Sequence, residues 1–173
     1  MTPARRHLLS LGIGVAVAVA LVVVLVVTSS PEPTRAAAFR LPGLTGGQVT
    51  VPVVRDGHDV PVVLAFFASW CGPCRGELPT VAAVARSEAG SGVQFIGVDC
   101  DDTASSGLAF ARSAGVTFPV AQDPDVEVPP RYGLTGYPDT VFIDAQGDVA
   151  HVVQGPVSGA TLRAWVARVE AKT

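Results

Sequence analysis

The feature that most constrains the fold of this chain is a pair of cysteines placed between a buried strand and a helix. The motif WCGPC at 70–74 follows the apolar run 62–68 and precedes the helix-like segment 75–89. Cysteines spaced i, i+3 at the start of a helix lie on one face, one turn apart. The unpaired amides and the dipole of a helix N-terminus favour a thiolate. The pKa of Cys71 is therefore expected to be lowered.

Two thiols in this arrangement predict redox chemistry. Cys71 attacks a foreign disulfide and Cys74 resolves the mixed disulfide, which leaves a Cys71–Cys74 disulfide. We expect Cys71 to be exposed and Cys74 to be more shielded. The alternative is half of a structural zinc site, which needs two further ligands at a suitable spacing. The remaining sequence offers only Cys100 and three scattered histidines, so no metal is expected.

An uncharged apolar run at residues 8–27 is the second informative feature. A helix of that length spans about 30 Å, which matches the hydrocarbon core of a bilayer. Arg5 and Arg6 precede the run, and the positive-inside rule then keeps residues 1–7 in the cytoplasm. The sequence predicts a single-pass anchor in the cell membrane with the remainder of the chain outside the cytoplasm.

The segment 28–38 is polar and rich in proline, and it predicts a linker between the anchor and a domain at 39–173. A cleaved signal peptide is the alternative, with Ala36-Ala37-Ala38 as its processing site. The apolar region of a signal peptide is usually only about 7 to 15 residues long, which favours the anchor. A net charge of -3 and a pI near 5.5 argue against a nucleic-acid partner.

The pattern of residues 39–173 predicts an α/β domain in which strands and helices alternate. Strands are predicted at 39–42, 48–51, 60–68, 93–98, 140–143 and 149–154, and helices at 75–89, 104–114 and 158–171, with an extended piece at 117–121 and a short helix at 125–132. This order predicts a mixed central sheet with helices on both faces.

Three segments carry a family resemblance. They are FFASWCGPCRGELP at 66–79, GVDCDD at 97–102 and YGLTGYPDTVFIDAQG at 132–147. Together they resemble the thioredoxin-like fold and, more narrowly, the membrane-anchored thiol-disulfide oxidoreductases of the TlpA/ResA/CcmG type. The resemblance covers nearly all of residues 39–169. It implies that Cys71 and Cys74 are the catalytic pair and that no cofactor is needed.

The resemblance also implies a substrate groove beside the cysteines. Pro138 matches the family's cis-proline, which faces the CxxC pair and presents a backbone edge to the bound partner. The other implied groove residues are Trp70, Gly72, Pro73 and Tyr137. Pro79 matches a helix kink, because its ring lacks the N–H that would bond to the carbonyl of Arg75.

Glu77 matches a family glutamate that is associated with acid–base chemistry, and the alternative is an ordinary solvated helix carboxylate. Thioredoxin has a buried aspartate six residues before its first cysteine, whereas this chain has Ala65. Asp139 resembles the acidic residue of the cytochrome c maturation branch, or else it caps or solvates a turn. Cys100 is either a reactive third thiol or a small buried side chain, and its place in an apolar strand favours burial.

The predicted function is an extracytoplasmic thiol-disulfide oxidoreductase that reduces protein disulfides. The resemblance implies apocytochrome c as a substrate and a membrane thiol transporter as the source of electrons. Two alternatives share the fold. A peroxiredoxin-like peroxidase has a lone peroxidatic cysteine after Pro and Thr, and a copper-binding assembly factor has a CxxxC motif with a distal histidine. The CxxC motif of this chain matches neither pattern.

Overall fold

The computed structural model describes residues 34–171, which belong to one compact unit. The predicted cytoplasmic segment 1–7, the predicted transmembrane helix 8–27 and the linker residues 28–33 lie outside the described residues. Of the helices formed by residues 34–171, none combines the length and apolar character that a membrane span requires.

The described residues alternate strands and helices much as the pattern predicts. The strands are β1 (Phe39–Pro42), β2 (Gln48–Val51), β3 (Val54–Arg55), β4 (His58–Asp59), β5 (Val62–Phe67), β6 (Gln94–Cys100), β7 (Val120–Asp123), β8 (Asp139–Ile143) and β9 (Val149–Gln154). The helices are α1 (Cys74–Ser87), α2 (Ala104–Ser113) and α3 (Gly159–Glu170), with a 3₁₀ helix at Pro129–Tyr132. Thr103 and Ser158 cap α2 and α3, since their hydroxyls accept the N–H groups of Ser106 and Thr161.

A five-stranded mixed sheet in the order β7-β6-β5-β8-β9 forms the centre of the domain. Strands β5, β6 and β7 are parallel, and β8 and β9 are antiparallel to their neighbours. Every residue of β5 is buried, as expected for a central strand covered on both faces. The extended piece predicted at 117–121 leads into β7, a full member of the sheet that the predicted strand order did not include.

The two faces of the sheet are covered differently. Val63, Ala65 and Phe67 pack in the apolar clusters that contain the buried residues of all three α-helices. Leu64 and Phe66 instead pack against β1, β2 and the 3₁₀ helix. The prediction of helices on both faces therefore holds only if the 3₁₀ helix is counted. The reason is topological: β5, β6 and β7 follow one another in one direction, so right-handed crossovers place α1 and α2 on the same face.

The last residues of the predicted linker contact the turn between β8 and β9. Ala36 N–H donates to the carbonyl of Gly147 at 2.9 Å, and the carbonyl of Thr34 accepts the N–H of Val149 at 2.8 Å. Arg35 lies 3.8 Å from the Asp59 carboxylate. This turn lies at the amino end of β5, the end opposite to the CxxC motif.

Candidate active site

The cysteine pair lies in the loop that joins β5 to α1. Cys71 precedes the helix by three residues, and Cys74 is the first helical residue. The two sulfurs form a disulfide, and the Cα atoms are 5.3 Å apart. The N–H of Cys74 donates to Cys71 Sγ at 3.2 Å. An amide of the first helical turn thus points at the sulfur of the expected nucleophile, and this arrangement stabilises a thiolate when the pair is reduced.

Both cysteines are buried in the disulfide form. Cys71 is 4% exposed and Cys74 is 0% exposed. Cys74 is the more shielded of the two, as expected. The prediction that Cys71 is exposed is wrong for this oxidised state. The cause is the apolar cluster around the disulfide, to which Phe67, Leu78 and Phe110 contribute and against which Tyr137 packs.

The groove residues implied by the family resemblance come together beside the disulfide. The Tyr137–Pro138 peptide bond is cis. Pro138 lines a cavity of about 10 Å³ together with Cys74 and Glu77, which is room for no more than one water molecule. Gly72 and Pro73 are exposed. The site therefore has a buried reacting centre and an open rim.

Two aromatic side chains form part of that rim. The Trp70 ring is 58% exposed, which is unusual for a large apolar side chain. It lies edge-on to the Tyr137 ring with centroids 6.0 Å apart. Its indole N–H donates to the carbonyl of Asp101 at 2.8 Å, which orients the ring although most of the residue stays exposed. An exposed indole packed on a half-buried tyrosine beside a cis-proline suits contact with a protein partner.

Glu77 is a buried carboxyl, not a solvated one. The residue is 5% exposed, and its two oxygens accept the Thr140 hydroxyl at 3.3 Å and the Val157 N–H at 3.0 Å. Burial raises the pKa of Glu77 to about 7, and the nearby Asp139 charge adds to the rise, while the two hydrogen bonds oppose it. A carboxyl with this pKa exchanges protons readily near neutral pH.

Ala65 also lines the cavity that Glu77 and Cys74 share. Its register partner in β8 is Thr140, the residue whose hydroxyl binds Glu77. The small side chain at the position of the thioredoxin aspartate is therefore next to Glu77. This chain places its buried carboxyl on α1 instead of β5.

Asp139 is a second buried carboxyl close to the cis-proline. One oxygen accepts the Gly155 N–H at 2.8 Å, and the other has no hydrogen-bond partner within residues 34–171. Burial raises the pKa of Asp139, partly offset by its backbone hydrogen bonds. Asp139 is 3% exposed, so the prediction that it solvates a turn is wrong, but it does cap the loop that leads from β9 to α3 by accepting the Gly155 N–H. Glu77 holds the same loop through the Val157 N–H.

Cys100 faces away from the disulfide. It is 0% exposed and belongs to the cluster on the opposite face of the sheet. Its thiol donates to the carbonyl of Val98 at 3.5 Å, and burial raises the pKa of the thiol. These observations favour the small buried side chain over a third reactive thiol. No three His, Cys, Asp or Glu side chains of residues 34–171 are placed to hold a metal ion.

The sequence reasoning missed one polar group near the site. Asp99 is 0% exposed and lies beside Phe67, the last residue of β5. Its neighbour Asp102 accepts the N–H of Ser69, two residues before Cys71. The available signal was an aspartate within the otherwise apolar strand segment FIGVDC at 95–100, at a position that shares a face with the buried Phe95.

Comparison with known proteins places this geometry in a family. The profile of the AhpC/TSA family matches residues 33–152. The protein ResA of Oceanobacillus iheyensis, described as a thiol-disulfide oxidoreductase, is 33% identical over 97 residues, which cover 56% of this chain and 50% of that protein. The chain spans about half the length of this relative and of ResA from Bacillus subtilis.

Two further proteins are matched over more of their length. DsbE of Allochromatium vinosum, described as a thiol:disulfide interchange protein, is 31% identical over 137 residues, covering 78% of this chain and 71% of that protein. The solved structure of MTB DsbF, in mixed oxidised and reduced forms, has 32% identity and a TM-score of 0.68, covering 76% of this chain and 94% of that one. This chain therefore has a thioredoxin-like fold and belongs to the AhpC/TSA family, among relatives named as thiol-disulfide oxidoreductases.

Proposed function

We propose that this protein is a thiol-disulfide oxidoreductase that reduces protein disulfides outside the cytoplasm. The observation that carries the proposal is the Cys71–Cys74 disulfide at the start of α1, next to the cis-proline Pro138. The same constellation includes a buried carboxyl, Glu77, on the face of the helix that carries Cys74.

The reaction begins with the reduced pair. The Cys71 thiolate attacks one sulfur of the substrate disulfide, forms a mixed disulfide and releases one substrate thiolate. The Cys74 thiolate then attacks Cys71 Sγ, which releases the second substrate thiolate and closes the Cys71–Cys74 disulfide. Two electrons pass from the protein to the substrate. The disulfide form described here is the product of that half-reaction.

Glu77 takes the proton of Cys74 in this scheme. A buried thiol among apolar side chains gives up its proton reluctantly, so resolution of the mixed disulfide needs an acceptor. Glu77 and Cys74 line one cavity with room for a bridging water, and the carboxyl has a pKa of about 7. The proton then returns to a departing substrate thiolate, which balances the reaction.

The exposed Trp70 ring and the half-buried Tyr137 ring, with Gly72, Pro73 and Pro138, form the proposed docking surface for the substrate protein. The resemblance to the cytochrome c maturation branch makes apocytochrome c the first substrate to test. A reductant in an oxidising compartment needs electrons from elsewhere, so a membrane thiol transporter is the proposed donor. The peroxidase and copper alternatives lack support in the CxxC geometry.

The experiment that tests the function is mixed-disulfide trapping with purified protein. Cys74→Ala should accumulate mixed disulfides with an oxidised substrate, because the resolving thiol is gone. Cys71→Ala should accumulate none, and Cys100→Ala should turn over like the wild type. Trapping by Cys71→Ala, or loss of activity in a folded Cys100→Ala variant, would overturn the assignment of roles.

The direction of electron flow is tested by the reduction potential of the Cys71–Cys74 pair. We expect a value near or below about -270 mV, the potential of thioredoxin, whereas a value near about -120 mV would make the protein an oxidant. The proposed membrane anchor is tested separately by mass spectrometry of the native protein. A mature N-terminus near Phe39 would show that residues 36–38 are a processing site.

A further inference from the structure

Asp99 is the most unusual polar residue of the described chain outside the proposed machinery. It lies near the carboxyl end of β6, directly beside Phe67, from which the redox loop departs. The residue is 0% exposed, and neither carboxyl oxygen has a hydrogen-bond donor within residues 34–171. An ionised carboxylate without a donor is costly to bury, whereas a neutral carboxylic acid is much less so.

The neighbour of Asp99 is a second carboxyl, Asp102, whose charge raises the pKa of Asp99. Carboxylate oxygens only accept hydrogen bonds, so a hydrogen bond between the two side chains requires a proton on one of them. Asp102 accepts the N–H of Ser69 at 2.7 Å on one oxygen and that of Thr103 at 2.8 Å on the other. Asp102 accepts two N–H groups whereas neither oxygen of the buried Asp99 has a donor within residues 34–171, so the proton is assigned to Asp99.

The packing around Asp99 is built for this side chain. A Cβ atom on Gly107 of α2 would lie only 1.8 Å from Asp99 Oδ2, so the carboxyl fits against the helix only because residue 107 is glycine. The first turn of α2 contributes no acidic residue. On the α1 side, Arg75 donates to the carbonyl of Ser69 and lies over the Phe110 ring.

The remaining titratable groups near the pair are few. Asp101 adjoins Asp102 in the loop and is exposed. Cys71 and Cys74 lie in the cluster that contains Phe67 and do not titrate while they form a disulfide. Asp123 of β7 is the strand-register partner of Cys100, the residue after Asp99. The Asp123 carboxylate accepts the N–H groups of Glu127 and Val128. Burial and the charge of Asp102 raise the pKa of Asp99 to about 8.

We propose that Asp99 and Asp102 form an acid–carboxylate pair that positions the redox loop through Ser69. The Asp99 O–H donates to Asp102, and Asp102 in turn holds the Ser69 N–H. The Trp70 indole, bonded to the carbonyl of Asp101, is attached to the same segment. Loss of the proton places two carboxylates against each other, and their repulsion loosens the loop that carries Trp70 and Cys71. Asp99 touches no reacting atom and is therefore a positioning residue.

The consequence for turnover rests on the proposed function, but the pair itself is tested without it. The oxidised protein is titrated by ¹H–¹⁵N NMR, so that the thiols contribute nothing. We expect the Ser69 amide shift to change in a single step with a midpoint near pH 8. Asp99→Asn should abolish the step, because an amide N–H donates to Asp102 at every pH.

Two variants serve as controls for this titration. Asp101→Asn changes a neighbouring exposed carboxyl, and Glu77→Gln removes the other carboxyl that titrates near neutral pH, so both should keep the Ser69 step. A wild-type Ser69 amide without the step, or a step that persists in Asp99→Asn, would overturn the proposal. If Asp99→Asn does not fold, the pKa of Asp99 is measured in the wild type from the ¹³C signal of its carboxyl. A titration midpoint near the ordinary aspartate pKa of 3.8 would contradict the pair.

A pH profile of disulfide reduction then connects the pair to activity. The wild type should lose rate on the alkaline side as Asp99 ionises, and Asp99→Asn should retain it there. If the Ser69 step is present but the protein reduces no disulfide, the proposed function fails while the positioning pair stands. If reduction occurs without the step, the pair fails and the function stands.

Discussion

Glu77 and Asp99 are two carboxyl groups buried on either side of the same disulfide loop, and they differ in their hydrogen-bond partners. Glu77 receives a hydroxyl and an amide donor from two separate elements. Asp99 receives no donor from residues 34–171, and the charge of a second carboxyl, Asp102, acts on it. Burial raises the pKa of both groups, but only Glu77 has partners that also stabilise its charged form.

The difference teaches that a raised pKa does not by itself indicate one role. Glu77, with a pKa of about 7 and two donors, is suited to take up and release a proton during turnover. Asp99, with a pKa of about 8 and no donor, is suited to keep its proton as part of the structure.

The largest expected effect is on the rate of disulfide reduction. Glu77→Gln should slow turnover by about 10²-fold or more, the usual scale for a positioned acid–base group. It should also lower the apparent thiol pKa, because the like charge near the thiols is removed. Insulin-type reduction and thiol alkylation against pH measure both effects. Asp99→Asn is the matched control and should keep a near-normal rate at neutral pH. Equal losses of rate in the two variants would contradict the assignment of different roles to Glu77 and Asp99.

The next effect concerns stability and tests the space around Asp99. Gly107→Ala should lower the free energy of unfolding by about 1 to 3 kcal/mol, the range for overpacking, because the new methyl group meets the Asp99 carboxyl. Gly76→Ala is the matched change in α1, where the added Cβ meets nothing within 4 Å. It should raise the free energy by about 0.5 to 1 kcal/mol. Urea unfolding measures both, and a neutral Gly107→Ala would show that α2 does not rest on Asp99.

The last effect is the pH dependence of stability in the oxidised protein. The pKa rises on folding from 4.5 to about 7 for Glu77 and from 3.8 to about 8 for Asp99. The folded state then holds more protons than the unfolded chain in that window, so the free energy of unfolding falls as pH rises through it. Asp99→Asn should remove the contribution that extends from about pH 4 to 8, and Glu77→Gln the contribution from about pH 4.5 to 7, so that only the Asp99 contribution remains above pH 7. Urea midpoints across the range that rise with pH would contradict both assignments.

The sequence predicted best what is local in the chain. The apolar run, the CxxC motif and the helix that follows are contiguous, so strand β5, the loop and α1 appear where the pattern placed them. The cis bond at Pro138 came from the family resemblance, and the structure confirms it. A second cis bond, at Val51–Pro52, had no such signal.

Features that depend on distant parts of the chain were not predictable in the same way. The burial of Glu77 requires Val157, 80 residues further on, to donate its N–H. The pairing of β7 with β6 depends on a crossover that periodicity does not show. The orientation of Asp99 toward Gly107 depends on how α2 packs on the sheet. These contacts depend on tertiary packing, which can override the local preference of a helix or strand residue.

The hydrogen bonds of Thr34 and Ala36 to the β8–β9 turn have a consequence for how another protein reaches the disulfide. They bring the chain into the domain at the amino end of β5, whereas Trp70 and Cys71 follow its carboxyl end. Six strand residues separate the two ends, a distance of about 20 Å. Residues 34–36 and a protein docked on Trp70 and Tyr137 therefore do not compete for the same space. A fusion partner attached before Thr34 should leave disulfide exchange unhindered.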